Sequence, residues 1–188
     1  MPNAAGGGNV EDVLEMKVIQ VHPDRCVGCR LCEMVCSLTH ERECSTTKSR
    51  IRILRDEECG NNLVSLCMQC GDAYCMEVCA YGALSRDSKT GAVAVDPRHC
   101  NGCEACVLAC PLDSISLDKE KGIVFTCDFC GGDPECVKVC SREALIAKDC
   151  DPASEERKSF RAETSKALSE LGKWRTESTK WTAGPDSD

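Results

Sequence analysis

The stretch CVGCRLCEMVC fills residues 26–36 and places four thiols within eleven residues. Thiols at that density can be bridged, metal-loaded or reactive. Bridging is disfavoured, because cysteines separated by two residues in a tight loop meet the separation and torsion of a disulfide poorly, and nothing here suggests a secreted protein. Metal is the better reading. Zinc sites usually present two separated pairs, whereas Cys-x2-Cys-x2-Cys-x3-Cys suits a 4Fe-4S cubane.

Three more groups follow: CMQCGDAYCMEVC at 67–79, CNGCEACVLAC at 100–110 and CDFCGGDPECVKVC at 127–140. The first and third share the tight spacing, with Cys26, Cys29, Cys32 and Cys36 answering to Cys100, Cys103, Cys106 and Cys110. The second and fourth stretch the middle gap to four or five residues, through Cys67, Cys70, Cys75 and Cys79 and then Cys127, Cys130, Cys136 and Cys140. Flanking residues repeat as well: HPDRC and DPRHC precede the two tight groups, and Ala83-Leu84 and Ala144-Leu145 follow the two stretched ones. The pattern reads as a duplication, each half a two-cluster module. Three close thiolates wrap three irons of a cubane and a distant one completes it, so sixteen cysteines imply four 4Fe-4S clusters.

Short elements must hold these loops. Residues 17–21, 50–54, 92–95 and 123–125 read as strands beside turns, with a short helix expected after each cysteine run. The fold expected is α+β: two pseudo-repeats of short β-hairpins and helices around the clusters, spanning 16–150. Residues 1–15 read as a flexible start, and an insertion occupies about 37–66. From 151 to 188 the composition changes, with Phe160, Ala167, Trp174 and Trp181 at steps of seven and Leu168 and Leu171 between them. That is helical periodicity as far as Gly172, with fraying expected at 186–188. The arm is expected to dock on a partner or a second copy, the alternative being a brace against its own domain.

Composition limits the rest. Nineteen of 188 residues are cysteine and only seven are aromatic, so the ordinary apolar core is thin and cluster binding must contribute to folding. A net charge of −8, about −16 if each cluster adds roughly −2, argues against nucleic acid as a partner. No stretch approaches twenty apolar residues, so no membrane span is expected, and no export signal is visible at the start; the expected place is the cytoplasm. There is no phosphate-binding loop and no nucleophile arrangement around His22, His40 or His99, so no catalytic residue is assigned. One-electron transfer is the chemistry available.

Over residues 16–150 these motifs resemble the four-cluster, ferredoxin-type iron-sulfur subunits that accompany molybdenum and tungsten oxidoreductases. Formate dehydrogenase, nitrate reductase and dimethyl sulfoxide reductase carry such subunits. CSLTHE at 36–41 followed by SRIRI at 49–53 is most similar to short members associated with tungsten aldehyde oxidoreductases. The resemblance implies an electron relay between a catalytic molybdenum or tungsten subunit and a further redox protein, such as a flavin subunit or ferredoxin. A free polyferredoxin, a subunit of another molybdo- or tungsto-enzyme or of a hydrogenase, and a structural zinc protein are the alternatives. It also implies crossed ligation. Cys26, Cys29 and Cys32 would share a cluster with Cys140, and Cys127, Cys130 and Cys136 one with Cys36. Likewise Cys67, Cys70 and Cys75 would take Cys110, and Cys100, Cys103 and Cys106 would take Cys79. Pro111 matches the usual proline after a terminal cysteine; Ser37, Ala80 and Ser141 depart from it.

The remaining candidates receive plain readings. His40 and His99 are taken as solvated loop histidines in preference to groups that tune a cluster. Cys44, Cys59 and Cys150 are taken as free thiols. Arg50 and Arg52, opposite Ile51 and Ile53 on a strand, are taken as a solvated face in preference to a counter-charge for a cluster.

Overall fold

The computed structural model describes residues 16–55, 62–150 and 155–170. The first and last strands of the cysteine-rich region, β1 (Met16–Val21) and β8 (Leu145–Cys150), pair antiparallel from Met16 opposite Cys150 to Val21 opposite Leu145. Ends separated by well over a hundred residues are thereby closed on each other. Val18, Ile19, Val21 and Leu145 are buried along this ribbon, so its β-branched composition serves packing as well as pairing.

Between these strands lie three hairpins. Strands β2 (Ile51–Arg55) and β3 (Asn62–Leu66) pair antiparallel, as do β4 (Leu84–Arg86) with β5 (Val93–Val95) and β6 (Ser116–Asp118) with β7 (Ile123–Phe125). Each cysteine group leads into a helix: α1 (Leu31–Glu41), α2 (Tyr74–Glu77), α3 (Ala105–Ala109) and α4 (Glu135–Lys138). Helix α1 packs on α4, and α2 on α3. The architecture is therefore a small α+β assembly of short antiparallel hairpins and few helices.

The segment expected as an insertion contributes more than decoration. Ser37 stands where Pro111 ends α3, and it lets α1 continue to Glu41. Its hydroxyl donates to Met34 O at 3.1 Å and accepts from Ser45 N at 2.9 Å, so a fully buried side chain has its polar atom satisfied. Beyond that turn, Ile51, Ile53, Val64 and Leu66 from β2 and β3 join Ile19, Val21 and Phe129 in one core cluster. A second cluster gathers Leu84, Val93, Leu112, Ile115 and Val124. Buried cysteines belong to both clusters, which is how a chain poor in aromatics fills its interior.

Of the arm, Glu155–Glu170 forms a helix, α5. Leu168 is buried in the second cluster, and Phe160 packs against both. Arg161 is ion-paired with Asp72 through contacts of 2.6 and 3.1 Å and lies 5.6 Å from the ring centroid of Tyr74. These contacts lay the described part of the arm against its own domain. The expected flexible start at 1–15, Cys59, the break at Gly172 and the stripe through Trp174 and Trp181 lie outside the described residues. No helix among the described residues is long and apolar enough to cross a membrane.

Candidate metal centres

The first pair of cysteines in each group encloses two residues, and the second of these adopts positive φ in all four: Gly28 at 65°, Gln69 at 50°, Gly102 at 68° and Phe129 at 64°. This left-handed step turns the backbone so that successive thiols face one point. Glycine adopts it without strain; Gln69 and Phe129 cost roughly 1 kcal/mol each and are held by burial. Gln69 has no exposed surface, donates to Cys127 O at 2.8 Å and accepts from Val93 N at 2.7 Å. It ties the second cysteine loop to the fourth. Sequence reasoning passed it over, although a non-glycine residue where two sister loops have glycine was a visible signal.

Four sets of thiols result. Cys26, Cys29, Cys32 and Cys140 line one cavity, walled by Ile53, Val64 and Leu145. Cys79, Cys100, Cys103 and Cys106 line another. Around Cys75, the charges of Cys67, Cys110 and Cys70 all act on its thiol. Around Cys136, those of Cys36, Cys130 and Cys32 act, and Cys127 feels Cys67, Cys136 and Cys36 in turn. Each of the two cavities joins three thiols of one group to one of a distant group, and α1 lies on α4 and α2 on α3.

Burial decides the thiols' acidity. It pushes Cys32 and Cys75 up to about 12 and Cys67 up to about 11, with neighbouring charges adding to the effect. Cys127 and Cys136 are also driven up, again chiefly by burial. Reactive cysteines require the opposite shift. Such thiols become thiolates when a metal supplies the compensating charge, so the donor chemistry fits metal holding and fits a nucleophile badly.

Hydrogen bonds to sulfur complete the sets. Ala83 N donates to Cys79 Sγ at 3.3 Å and Ala144 N to Cys140 Sγ at 3.3 Å, an equal offset of four residues. At the same offset, Ser114 Oγ lies 3.3 Å from Cys110 Sγ. Cys36 breaks the rule because its helix runs on; Arg50 N reaches it instead, at 3.3 Å. Burial works against the Cys79 thiolate, but the amides of Ala83, Tyr81, Leu84 and Gly82 outweigh it and bring that thiol below its ordinary value.

Two plain readings need correction. His40 is not a solvated loop residue: it lies in α1, its side chain only 10% exposed, with Nδ1 2.8 Å from Cys36 O and Nε2 3.0 Å from Asp128 Oδ1. The helix that Ser37 prolongs carries it there. Arg50 is not part of a solvated face either, since its Nε and Nη1 are buried without a hydrogen-bond partner. His99 is exposed and paired with Asp96 at 3.0 Å, and Cys44 is an exposed free thiol.

Comparison with known proteins agrees with this geometry. Residues 60–150 match the 4Fe-4S dicluster domain family, and residues 19–36 match a 4Fe-4S binding domain. The polyferredoxin-like subunit of an aliphatic sulfonate oxidoreductase from Pyrococcus furiosus is 47% identical over 130 residues, covering 69% of this chain and 75% of its own. The chain belongs to the 4Fe-4S ferredoxin-type electron-transfer subunits of oxidoreductases. Two further relatives of this subunit carry names of the same kind. A putative electron transport protein, YsaA, of Escherichia coli strain K12 is 34% identical, over 71% of this chain and 90% of its own. The thiosulfate reductase electron transfer subunit PhsB of Salmonella typhi is 32% identical, over 70% and 76%. The subunit is a non-catalytic member of an oxidoreductase that relays electrons by 4Fe-4S chemistry.

Proposed function

We propose that the subunit holds four 4Fe-4S clusters in two ferredoxin-like pseudo-repeats and passes single electrons along them. One end would meet a catalytic subunit containing tungsten or molybdenum, the other a further redox protein, in the cytoplasm. The ligand sets are Cys26, Cys29, Cys32 with Cys140; Cys36 with Cys127, Cys130, Cys136; Cys67, Cys70, Cys75 with Cys110; and Cys79 with Cys100, Cys103, Cys106. When bound, each cluster supplies a one-electron couple whose potential is set by burial, nearby charge and hydrogen bonds to sulfur.

The observation that carries this reading is the order of the sets. Cys32 of the first acts on Cys136, and Cys67 of the third acts on Cys127, so the buried Cys36 set lies between them. Helices α2 and α3 join the third set to the fourth. Of the thiols in the four sets, only Cys29 and Cys103, in the two outer ones, are exposed. Those two ends suit electron exchange with partners, and the two sets without an exposed thiol suit transfer within. Val27 and Leu31 flank the first end, and Tyr81 and Leu108 the other, all exposed. The relative from Pyrococcus furiosus makes an oxidoreductase acting on organic substrates a fitting partner, and resemblance favours a tungsten aldehyde oxidoreductase or a related enzyme.

Anaerobic purification from the native host tests the proposal. About sixteen iron and sixteen acid-labile sulfide atoms per chain are expected, with a large tungsten- or molybdenum-containing subunit copurifying. Fewer than about twelve iron atoms overturns four clusters; a free, fully loaded chain overturns the complex.

A further inference from the structure

Charge is distributed unevenly about the four thiol sets. Besides Arg50, the carboxylate of Asp128 acts on Cys130, and ligand atoms of His40, Asp128 and Cys130 lie within 4.8 Å of one another. His40 Nδ1 lies 2.8 Å from Cys36 O and its Nε2 3.0 Å from the Asp128 carboxylate. Arg50 stands differently. Among the described residues its buried Nε and Nη1 have no hydrogen-bond partner, while its backbone N–H already donates to Cys36 Sγ at 3.3 Å. Buried guanidinium donors left without an acceptor are costly unless an anion faces them. Among the described residues no carboxylate pairs with Arg50, and its charge acts on Cys130. By contrast, the buried carboxylate at Glu33 bears on Cys32 of the neighbouring set.

We propose that Arg50 is a positioning residue for electron flow, the internal counter-charge of the cluster held by Cys36, Cys127, Cys130 and Cys136, and that it sets this cluster's potential above that of the Cys26 set. The inference rests on the four-cluster reading above. A cluster with four thiolates is anionic, and one-electron reduction adds a further negative charge; a fixed cation beside it stabilises the reduced form more than the oxidised one. Burial keeps salt from screening the effect. The second set from the exposed Cys29 end thereby becomes a place where an electron dwells, directing flow inward.

Potentiometric titration of the intact, anaerobically purified protein, followed by electron paramagnetic resonance, tests this. In Arg50→Gln one component is expected to become harder to reduce by at least tenfold in its reduced-to-oxidised ratio at fixed potential, which for a one-electron couple is 59 mV. The other components should move less than about threefold, a residual field effect across a screened distance. Arg50→Lys keeps the charge and should stay near wild type. The component that moves should be the one that Cys130→Ser perturbs. No shift in Arg50→Gln, an equal shift of all components, or a shift in a component untouched by Cys130→Ser overturns the inference. If Arg50→Gln loses iron, Arg50→Lys decides: full iron and an unmoved potential support the charge role, and loss or displacement there refutes it. No shift in Arg50→Gln, when wild type carries about sixteen irons, sinks this inference alone, whereas too few irons in wild type sinks the four-cluster reading and this with it.

Discussion

At the scale of single residues, the thiol loops depend on backbone positions as much as on sulfur. Gly102 has φ of 68°, and a Cβ there would lie 2.6 Å from Gly122 O, a backbone atom that cannot swing aside. Gly102→Ala is therefore expected to destabilise the protein by more than about 1 kcal/mol and to loosen the set containing Cys103, read as early loss of part of the visible absorption on heating. Gly82→Ala, with φ of 60° and no neighbour within 4 Å, carries the backbone strain without the clash and should cost less. Crossed ligation has its own single-residue test. Cys140→Ala should damage the cluster of Cys26, Cys29 and Cys32, far away in sequence, more than that of Cys127, Cys130 and Cys136, as judged by iron content and paramagnetic resonance. Loss confined to the second would refute it.

Elements reveal how local signals and packing divide the work. Strands read at 17–21, 92–95 and 123–125 coincide closely with β1, β5 and β7, because alternating β-branched residues beside turn residues are a local signal. The role of β2 and β3 was less legible: a segment that interrupts a repeat looks dispensable, yet its alternate isoleucines turn inward. The arm's helix was legible from its period, its resting place was not. Replacing both Phe160 and Leu168 by Ala is expected to destabilise the chain by about 2–4 kcal/mol, below the sum for two enclosed core sites because Phe160 is only partly buried. Thermal unfolding followed by circular dichroism checks it, with the iron content of the unheated protein unchanged. The Asp72–Arg161 pair helps to seat this helix. Hydrogen bonding from Arg161 holds the Asp72 carboxyl at about 2, below its ordinary 3.8, so the pair's contribution is complete above that ordinary value and fades as pH falls toward 2. At neutral pH, Asp72→Asn should cost no more than about 1 kcal/mol, since the Asp72 side chain is 45% exposed and solvent screens the pair.

For the whole molecule, the thinness of the apolar core leads to a prediction about metal removal. Anaerobic stripping of iron and sulfide should abolish most far-ultraviolet circular dichroism and expand the chain on size exclusion, because thiols held near one another by burial alone lose the bonds that join the four groups. A stripped protein with native-like dichroism and size would place its stability in the hairpins instead. By itself the sequence determined the kind of chemistry. Cluster type follows from spacings within a dozen residues, where loop geometry is local and three ligands of a cubane come from one turn. Tertiary structure decided what depends on distance. Which thiols of remote groups meet follows from the closing of β1 on β8 and the packing of α1 on α4 and α2 on α3. Likewise, whether an arginine or histidine lies in water or beside sulfur depends on what covers it: two nitrogens of Arg50 are buried, and His40 meets Asp128, distant in the chain. Local sequence carries no record of those neighbours, because burial is a property of the assembled surfaces.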